Sequence, residues 1–200
     1  MTLRRAVDIA VGLGGLVLAL PVMAVVAAYL RVTAGSPVLF VQRRATLRGR
    51  TFRLRKFRTM NTHREADGRL RPDAQRLVRG GKFLRATRLD ELPQLWHVLV
   101  GDMSLIGPRP LLPETIEEAG SIGVARGLVR PGLTGWAQVN GNTRLSDSEK
   151  FALDLWYARN RTLRLDLRIL VQTLLVAVRG ERRNPVAIRR AHAGDHRRRG

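Results

Sequence analysis

The stretch TRLDELPQLWHVLVGDMSLIGPRP occupies residues 87–110 and places an acidic pair, Asp90 and Glu91, in a chain that is otherwise strongly cationic. Pro93 follows the pair closely, and proline is tolerated in a helix only in its first turn. We therefore expect both carboxylates at the start of a short helix. Gly101 ends that helix, because glycine adopts the left-handed conformation common at helix C-termini.

The last four residues of this stretch, Gly107 to Pro110, form a stiff loop that cannot continue a helix. Two acids beside a fixed loop that carries Arg109 indicate a site for a metal ion and phosphate groups. The alternative is a capping acid with a solvated neighbour, since carboxylates are stabilised at helix N-termini whatever the function.

The composition favours a polyanionic partner. Of 200 residues, 36 are Lys or Arg and 16 are Asp or Glu, which gives a formal net charge of +20. Nucleic acid, an anionic lipid surface and phosphorylated substrates all fit this charge. The length suits one globular domain with room for an appendage. The sequence has no cysteine, which excludes disulfides, thiolate nucleophiles and thiolate metal ligands.

Residues 9–30 read IAVGLGGLVLALPVMAVVAAYL, an uncharged stretch of 22 residues. About 20 residues suffice to cross a bilayer as a helix. A cleaved signal peptide is the rival interpretation, but the apolar run is too long for a typical signal core and no convincing small-x-small cleavage site accompanies it. The stretch therefore predicts a membrane segment.

Arginines flank this segment on both sides, with Arg4 and Arg5 before it and a dense cluster between Arg31 and Arg58 after it. Positive charge next to a membrane segment prefers the cytoplasmic side, so both flanks favour the same side. Pro21, near the middle, breaks the helical hydrogen-bond ladder. Two topologies remain open on the residues alone: a re-entrant hairpin that enters and leaves by one face, or a single crossing with a kink.

The remaining sequence predicts short elements of both types. Alternating apolar and basic residues indicate a β-hairpin, and Ser146 with Glu149 forms a capping box that starts a helix. An uncharged run near residue 170 is too short to span a bilayer but suits a buried or interfacial amphipathic helix. The expected elements are strands at 38–42, 51–58 and 136–139, a loop or irregular helix at 61–73, and helices at 112–125, 146–159 and 165–178.

Several motifs occur in an order that closely resembles the bacterial sugar transferases. These are the monotopic polyprenyl-phosphate phosphoglycosyl transferases that initiate surface glycans, and the resemblance covers residues 4 to about 178. The motifs are RRAVD at 4–8, Pro21, Q-x-R at 42–44, KFRTM at 56–60, the stretch at 89–110, RPGLTGWAQVNG at 130–141, and the run from LDLWYARN to LDL at 153–167.

The resemblance implies the re-entrant topology and completes the expected α+β architecture. Residues 1–34 would form a re-entrant membrane helix-hairpin broken at Pro21. Residues 35–178 would form a small cytoplasmic catalytic domain lying on the membrane, made of short helices, a β-hairpin and amphipathic interfacial helices. Residues 179–200 are a basic tail, low in apolar content, for which we expect disorder.

The family transfers a phospho-sugar from a nucleotide-diphosphate sugar to polyprenyl phosphate and releases the nucleoside monophosphate. The resemblance implies that Asp90 is the nucleophile, which forms a covalent phospho-sugar intermediate, and that Glu91 positions a metal ion or relays a proton. Mg²⁺ is the implied cofactor, with Asp90 and Glu91 as its ligands. Attack by a carboxylate on phosphorus requires that the charge of the diphosphate be neutralised.

Substrate binding is expected from cationic and amide side chains. A guanidinium group matches phosphate oxygens in a bidentate way, which favours arginines as phosphate clamps; surface ion pairing is their alternative role. The basic pair of the KFRTM motif would meet the lipid phosphate or the membrane surface. The amides of the 130–141 motif would line the nucleotide-sugar pocket or hold the local strand. The expected substrate-binding residues are Arg85, Arg109, Lys56, Arg58, Pro110, Gln138 and Asn140.

Three positions depart from the family pattern. Thr46 stands where the family usually has glycine, and His97 stands where it usually has asparagine. The family commonly reads N-G-R where this chain reads Asn140-Gly141-Asn142. Asn142 therefore lacks the positive charge of the usual arginine. Arg144 is the candidate to supply it.

The implied partners are a UDP-sugar, polyprenyl phosphate and the anionic membrane surface, with other glycosyltransferases of a glycan pathway as further candidates. The implied location is the cytoplasmic face of the bacterial plasma (inner) membrane. Two alternatives remain: an inactive membrane-anchored scaffold, and a module that binds anionic lipid or nucleic acid. Nucleic acid is not expected, because aromatic residues are few and the arginines are dispersed over loops, strands and tail.

Overall fold

The structure, a computed structural model, describes residues 2–65 and 67–196. The chain divides into two compact units. The Asp90 unit consists of residues 10–42 and 53–96, and the Arg109 unit consists of residues 1–9, 43–52 and 97–200. Each unit combines segments that are distant in sequence, so the division does not follow the order of the chain.

Helices and two small sheets make up the described residues, which confirms the expected mixture of helix and strand. Strands β1 and β2 form one two-stranded sheet, the expected hairpin, and β3 and β4 form another. The strands are β1 (Leu39–Ala45), β2 (Thr51–Phe57), β3 (Ser104–Ile106) and β4 (Gly132–Thr134). The helices are α1 (Leu3–Thr33), α2 (Asp73–Arg76), α3 (Gly81–Ala86), α4 (Leu95–Val100), α5 (Pro113–Glu118), α6 (Gly120–Arg126), α7 (Trp136–Val139), α8 (Asp147–Asn160), α9 (Leu163–Arg179) and α10 (Pro185–His196).

Helix α1 is a single helix of 31 residues that contains Pro21. The helix therefore continues through Pro21, the position at which a break was expected. By length and composition α1 is long and apolar enough to cross a membrane. Within residues 2–65 and 67–196, most of the apolar surface of α1 is exposed.

In the Asp90 unit, the second half of α1 packs against β2, α3 and the turn before α4. The apolar cluster joins Val26 and Leu30 of α1 to Phe57 of β2, and Leu89 packs against it. Because Leu89 directly precedes Asp90, this packing fixes the point at which the acidic pair begins.

In the Arg109 unit, β3 and β4 pair in parallel, with Ser104 opposite Gly132 and Ile106 opposite Thr134. A Cβ atom on Gly132 or Gly135 would collide with the backbone of Gly107. These glycines therefore allow the Gly107–Pro110 loop to lie directly against the end of β4. The main core of the unit is built from residues of α7, α8, α9 and α10, and Ile106 of β3 packs against it.

The expected strand at 136–139 is wrong. These residues form α7, and the strand of this region, β4, ends two residues before them. All four side chains of α7 are buried. Four residues are too few for a sequence pattern to distinguish a strand from a short helix that is buried on every side, and here the tertiary packing decides.

The expected disorder after residue 180 is wrong for residues 185–196, which form α10. Ala187, Ile188 and Ala191 are buried in the core of the Arg109 unit, because they share one face of the helix. The side chain of Asn184 caps the helix by accepting a hydrogen bond from the backbone N–H of Ala187 at 3.2 Å. Burial of these three apolar side chains thus stabilises α10 despite the cationic composition of the segment. Residues 197–200 lie outside the described part of the chain.

Two other predictions for this unit are confirmed, one with a modification. The backbone N–H of Glu149 donates to Ser146 Oγ at 3.2 Å, and the backbone N–H of Ser146 donates to the Glu149 carboxylate at 2.9 Å. This capping box starts α8 as expected. The helix expected at 112–125 is divided into α5 and α6 at Gly120, whose φ of 54° interrupts it.

Candidate active site

The acidic pair lies in a 3₁₀ turn, Leu89–Gln94, that leads directly into α4. Arg88, with a φ of 58°, precedes the turn, and Pro93 lies inside it. The structure therefore confirms that both carboxylates lie at the start of a short helical segment. Gly101, with a φ of 91°, follows the end of α4 as expected.

Asp90 is a desolvated carboxylate. Only 5 % of the Asp90 surface is exposed to solvent. Burial raises the pKa of Asp90, and the negative charge of Glu91 raises it further, whereas Lys56 and Arg85 act in the opposite direction. Four of the predicted site residues thus interact electrostatically within the Asp90 unit. A buried carboxylate that is poorly solvated and next to cations is typical of a functional group rather than a surface cap.

The neighbours of Asp90 are held by their own contacts. Glu91 pairs with Arg88 at 3.5 Å. Arg85 is exposed, and its Nη1 lies 3.4 Å from the Met60 sulfur. The Lys56 ammonium lies 5.4 Å from the centre of the Phe40 ring. These contacts hold two cationic side chains, Lys56 and Arg85, whose charges act on Asp90.

The Arg58 side chain is held by backbone carbonyl oxygens. Its guanidinium donates hydrogen bonds to the carbonyl oxygens of Ala34 and Gly35, the second at 2.9 Å. It also lies 3.5 Å from the carbonyl oxygen of Ser36. These carbonyls follow the end of α1, so Arg58 fixes the chain between α1 and β1. The structure gives Arg58 a structural function, and its sequence neighbour Lys56 remains the cation of this motif near Asp90.

The other predicted residues, Arg109, Pro110, Gln138 and Asn140, belong to the Arg109 unit. The Arg109 side chain is exposed and Pro110 is buried. Burial lowers the pKa of Arg44, and the charge of Arg109 lowers it further, whereas Glu114 raises it. Arg44 and Arg109 therefore interact, and two adjacent guanidinium groups favour the binding of an anion.

A buried ion pair that the sequence analysis missed supports the loop of Arg109. Arg126 Nε donates to Asp154 Oδ2 at 2.8 Å, and both side chains are almost fully buried. The same guanidinium donates to the carbonyl oxygen of Arg109. Burial raises the pKa of Asp154, although Arg126 opposes this shift. No sequence spacing connects these residues, because α6 and α8 bring them together.

A cavity of about 340 Å³ opens beside this loop, with Arg109, Gln138, Phe151 and Asp154 in its lining. Gln138 is only 6 % exposed. Neither its amide oxygen nor its amide nitrogen has a hydrogen-bond partner in the described part of the chain. A buried amide without partners is unfavourable unless a ligand satisfies it, so the Gln138 amide is available to a ligand in this cavity.

Asn140, in contrast, is fully buried and has structural partners. Its amide nitrogen donates to the Trp136 carbonyl at 2.8 Å, and its amide oxygen accepts from Asn184 at 2.8 Å. Asn140 therefore fastens α10 to α7. Of the two amides that the sequence places in the pocket, the structure leaves only Gln138 available for a ligand.

The loop after Asn140 is held by Glu181. The Glu181 carboxylate accepts hydrogen bonds from Asn142 Nδ2 at 2.5 Å, from the Thr143 backbone at 3.2 Å and from the Thr143 hydroxyl at 2.5 Å. Asn142 and Thr143 also line the 340 Å³ cavity. Asn142, the position that departs from the family pattern, is thus fixed by a residue that follows α9. Arg144, its candidate substitute, does not line this cavity.

The two other departures from the family pattern meet at one residue, Asp102. The Thr46 hydroxyl donates to the Asp102 carbonyl oxygen at 2.5 Å. His97 Nδ1 lies 3.1 Å from the Asp102 carboxylate. Both Thr46 and His97 are buried. Their side chains therefore stabilise the same turn, which connects α4 to β3.

The donor chemistry of the acidic pair fits Mg²⁺. Within the described residues no group of three or more His, Cys, Asp or Glu side chains could hold a metal ion. Mg²⁺ does not need such a cluster, because it usually binds one or two carboxylates together with waters and substrate phosphates. Asp90 and Glu91 supply two hard oxygen ligands of this kind.

The sequence profile of the bacterial sugar transferases matches residues 1–180. The chain therefore belongs to the bacterial sugar transferase family. The resemblance seen in the sequence motifs and the expectation of a transferase are both confirmed at this level. Helix α10 lies beyond the matched residues.

The relatives of this chain are named as sugar transferases and sugar phosphotransferases. The chain is 43 % identical over 174 residues to the uncharacterized sugar transferase EpsL of Bacillus subtilis (strain 168), a match that covers 87 % of this chain and 86 % of EpsL. It is 37 % identical over 185 residues to the undecaprenyl-phosphate glucose phosphotransferase of Komagataeibacter xylinus, with 86 % of this chain and 35 % of that protein covered.

A third relative uses a different sugar by name. The chain is 35 % identical over 186 residues to the UDP-N-acetylgalactosamine-undecaprenyl-phosphate N-acetylgalactosaminephosphotransferase of Aeromonas hydrophila, with 89 % of this chain and 44 % of that protein covered. The chain thus spans less than half the length of the two relatives with a named reaction. The family match does not fix the sugar.

Proposed function

We propose that this chain transfers a phospho-sugar from a UDP-sugar to undecaprenyl (polyprenyl) phosphate. The reaction would be the first membrane step in the synthesis of a surface glycan, such as exopolysaccharide, capsule, O-antigen or glycoprotein. The observation that carries the proposal is the desolvated Asp90, next to Glu91 and influenced by Lys56 and Arg85. The named reactions of the relatives from Komagataeibacter xylinus and Aeromonas hydrophila support it.

The reaction has two displacements at phosphorus. In the first, a carboxylate oxygen of Asp90 attacks the phosphorus that bears the sugar, an Asp90 O–P bond forms, and the diphosphate P–O bond breaks. UMP leaves with that bonding electron pair. In the second, a phosphate oxygen of the polyprenyl phosphate attacks the same phosphorus and releases the Asp90 carboxylate. The product is a polyprenyl diphosphate sugar.

Burial of Asp90 supports its role as nucleophile. A carboxylate with few water contacts requires little desolvation before it attacks, and the nearby cations Lys56 and Arg85 keep its ionised form accessible. Arg85 would also hold a phosphate group of the substrate, since its guanidinium is exposed. Mg²⁺ bound to Asp90 and Glu91 would neutralise diphosphate charge, as in other phosphoryl transferases.

The 340 Å³ cavity is the proposed donor pocket. Gln138 would satisfy its free amide with hydrogen-bonding groups of the nucleotide sugar. Phe151 offers an aromatic surface in the same lining, and Arg109 offers a phosphate clamp. Pro110 would contribute by keeping the Arg109 loop rigid.

The proposed location is the cytoplasmic face of the plasma membrane, with α1 re-entering by the face through which it enters. The exposed apolar surface of α1 and the arginines on both of its flanks support this topology. Pro21 would provide the bend, since it removes a hydrogen bond without ending the helical segment. A soluble nucleotide sugar and a membrane lipid phosphate could then meet on the same side.

The experiment is UMP release from a panel of UDP-sugars by the full chain in detergent, with Mg²⁺ and undecaprenyl phosphate. Asp90→Asn is the test variant, and Asp73→Asn, which changes an exposed acid of the Asp90 unit, is the control. We expect donor-selective release that Asp90→Asn abolishes and Asp73→Asn retains. Radiolabelled sugar that stays with denatured protein in the absence of acceptor would report the covalent intermediate.

Two outcomes would contradict the proposal. Unchanged release by Asp90→Asn would remove Asp90 as nucleophile. No release with any donor from folded protein would favour the inactive scaffold, whose charge and membrane helix would then serve binding alone.

A further inference from the structure

A second cavity lies in the Arg109 unit, with a volume of about 380 Å³. It is bounded by the start of α1, the turn at Leu47–Arg48 and α9. Five arginines and two aspartates are among its lining residues, an excess of three positive charges. None of the predicted site residues lines it. The cavity is therefore a candidate site for an anion that the proposed reaction does not account for.

The two acidic side chains of this cavity are fully engaged. Asp166 accepts from Arg4 Nε at 2.8 Å and from the Tyr157 hydroxyl at 2.7 Å. Asp8 accepts from the Ser104 hydroxyl at 2.9 Å and from the Leu105 backbone N–H at 3.0 Å. Because their oxygens are satisfied within the protein, these carboxylates do not need the remaining arginines as partners.

The arginines divide into two groups. Arg4 pairs with Asp166, Arg5 donates to the carbonyl oxygens that end α4, and Arg130 donates to the Gly101 carbonyl at 3.0 Å. Arg48 and Arg161 are exposed and have no ion pair or side-chain hydrogen bond within residues 2–65 and 67–196. Two guanidinium groups on one cavity can hold a phosphate group by bidentate hydrogen bonds.

Arg48 is fixed by its backbone rather than by its side chain. It has a φ of 56°, and its backbone N–H donates to the Gly127 carbonyl oxygen at 2.8 Å. The turn therefore places the Arg48 side chain at the cavity while leaving its guanidinium available.

The other side of the cavity is apolar and exposed. Leu128 is 66 % exposed and Leu167 is 63 % exposed, and Leu163 and Leu170 also lie in the lining with exposed surface. The buried residues of α9 are Ile169 and Asp166, and Asp166 also lines the cavity. The exposed apolar strip of α9 extends beyond the cavity along Val171, Leu174, Leu175 and Val178.

A cationic cavity that continues into an exposed leucine strip matches an amphiphile with an anionic head. A soluble phosphate would use the arginines but would gain nothing from the leucines. An anionic phospholipid would use both, because basic side chains attract its headgroup while apolar side chains contact its acyl chains. The volume lies within the range of small-molecule sites.

We infer that this cavity binds the headgroup of an anionic phospholipid, with Arg48 and Arg161 on its phosphate and the leucines of α9 along its acyl chains. The site goes beyond the proposed transfer reaction and does not rest on it. Bound lipid would join the start of α1 to α9 and so stabilise the Arg109 unit.

The test measures thermal unfolding of the full chain in a neutral detergent, followed by tryptophan fluorescence. The added probes are short-chain phosphatidylglycerol, phosphatidylcholine of the same chain length, and inorganic phosphate. We expect phosphatidylglycerol to raise Tm saturably by about 5 °C, the size of effect that a ligand well above its Kd produces in a chain of this length. Phosphatidylcholine and phosphate should have little effect.

The test variant is Arg48→Ala/Arg161→Ala, and the matched control is Arg189→Ala/Arg190→Ala, which removes two exposed charges from α10. The concentration of phosphatidylglycerol needed for half of the shift should rise about tenfold or more in the test variant, since two charge-assisted contacts are lost. It should be unchanged in the control. Leu167→Gln, which keeps both arginines, provides a second variant with a weakened response to the lipid.

Each alternative result overturns the inference. An equal response to phosphatidylcholine would mean adsorption through the apolar strip alone. An equal response to inorganic phosphate would mean a soluble anion site. Displacement of phosphatidylglycerol by stoichiometric undecaprenyl phosphate would mean an acceptor site. A wild-type response in the double arginine variant, or in Leu167→Gln if the double variant does not fold, would exclude the binding mode.

Discussion

Arg126 and Asp154 form a buried ion pair, with 2.8 Å between Arg126 Nε and Asp154 Oδ2, and the same guanidinium donates to the backbone carbonyl of Arg109. The pair connects α6 and α8 to the loop that carries the proposed phosphate clamp. Removal of one partner leaves the other charge buried without compensation, which usually destabilises a protein by about 3–5 kcal/mol. The pair therefore matters for the position of Arg109 as well as for the core.

The first prediction concerns this pair. Asp154→Leu alone should lower Tm by about 10 °C, because Arg126 is then buried without its partner. The double variant Arg126→Leu/Asp154→Leu should recover a large part of that loss. Thermal unfolding of the two single variants and the double variant gives the coupling energy. Additive losses would show that the two charges do not stabilise each other.

Local features were predicted more completely from the sequence than contacts between residues that are distant in the sequence. The acidic pair at the start of a helix, the capping box at Ser146 and the β-hairpin are all encoded within a few residues, and the structure shows each of them. Arg126 and Asp154 lie 28 residues apart. No local pattern marks them as partners, because their pairing depends on how α6 packs against α8.

The errors of prediction have the same cause. A strand was expected at residues 136–139, but these four residues form the helix α7, which is buried on all sides. The cationic composition after residue 180 favours disorder, but Ala187, Ile188 and Ala191 are buried in the core and stabilise α10. Likewise, Arg58 resembles a phosphate ligand in its motif, and only the structure shows that carbonyl oxygens occupy its guanidinium.

The second prediction concerns the stability cost of Asp90. Its folded pKa lies above the ordinary value of 3.8, so folding disfavours the ionised carboxylate. This cost is absent below pH 3.8 and develops as the pH rises through the folded pKa. Asp90→Asn should therefore raise Tm at neutral pH, while transfer activity is lost.

The check is a series of unfolding curves for wild type and Asp90→Asn from neutral pH down to about pH 4. The difference in Tm between the two proteins should shrink as the pH approaches 3.8, the ordinary pKa of an aspartate carboxyl group. Asp73→Asn, at an exposed position, should show no such gain. A less stable Asp90→Asn protein at neutral pH would contradict the desolvation argument.

The third prediction concerns Lys56. Its charge lowers the pKa of Asp90, against the effects of burial and Glu91. Lys56→Met removes that charge, so the pKa of Asp90 should rise further and the acid limb of the rate profile should move to higher pH. At neutral pH we expect the rate to fall by about 10²-fold. Lys56→Arg keeps the charge and should retain the wild-type limb in a pH profile of UMP release. An unshifted limb in Lys56→Met would remove Lys56 from this role.

The fourth prediction separates Gln138 from Asn140. Gln138→Leu removes a buried amide without partners, so Tm should stay constant or rise. If the amide contacts the donor, KM for the UDP-sugar should rise about tenfold with a smaller change in kcat. Asn140→Leu should instead lower Tm, because its amide bonds to Trp136 and Asn184 are lost. A fall in Tm with unchanged KM in Gln138→Leu would assign that residue to the core.

The last prediction tests whether two departures from the family pattern act together. Thr46 and His97 both contact Asp102, at 2.5 Å through the hydroxyl and at 3.1 Å through the ring nitrogen. Thr46→Gly and His97→Asn should each lower Tm, since each removes a buried hydrogen bond of about 1 kcal/mol. Residues that share a partner are coupled, so the double variant should lose at least about 0.5 kcal/mol less than the sum of the single losses.

The cycle distinguishes a joint replacement from two independent substitutions. Chemical unfolding of the four proteins gives the coupling energy, and Thr46→Ser, which keeps the hydroxyl, is the matched control. If Asp102 needs both partners, the turn that contains it loosens after the first substitution. The second substitution then removes a hydrogen bond that is already weakened, so it costs little further stability. Strict additivity would mean that Thr46 and His97 stabilise separate parts of the turn. Their joint occurrence in this chain would then have no basis in their shared contact with Asp102.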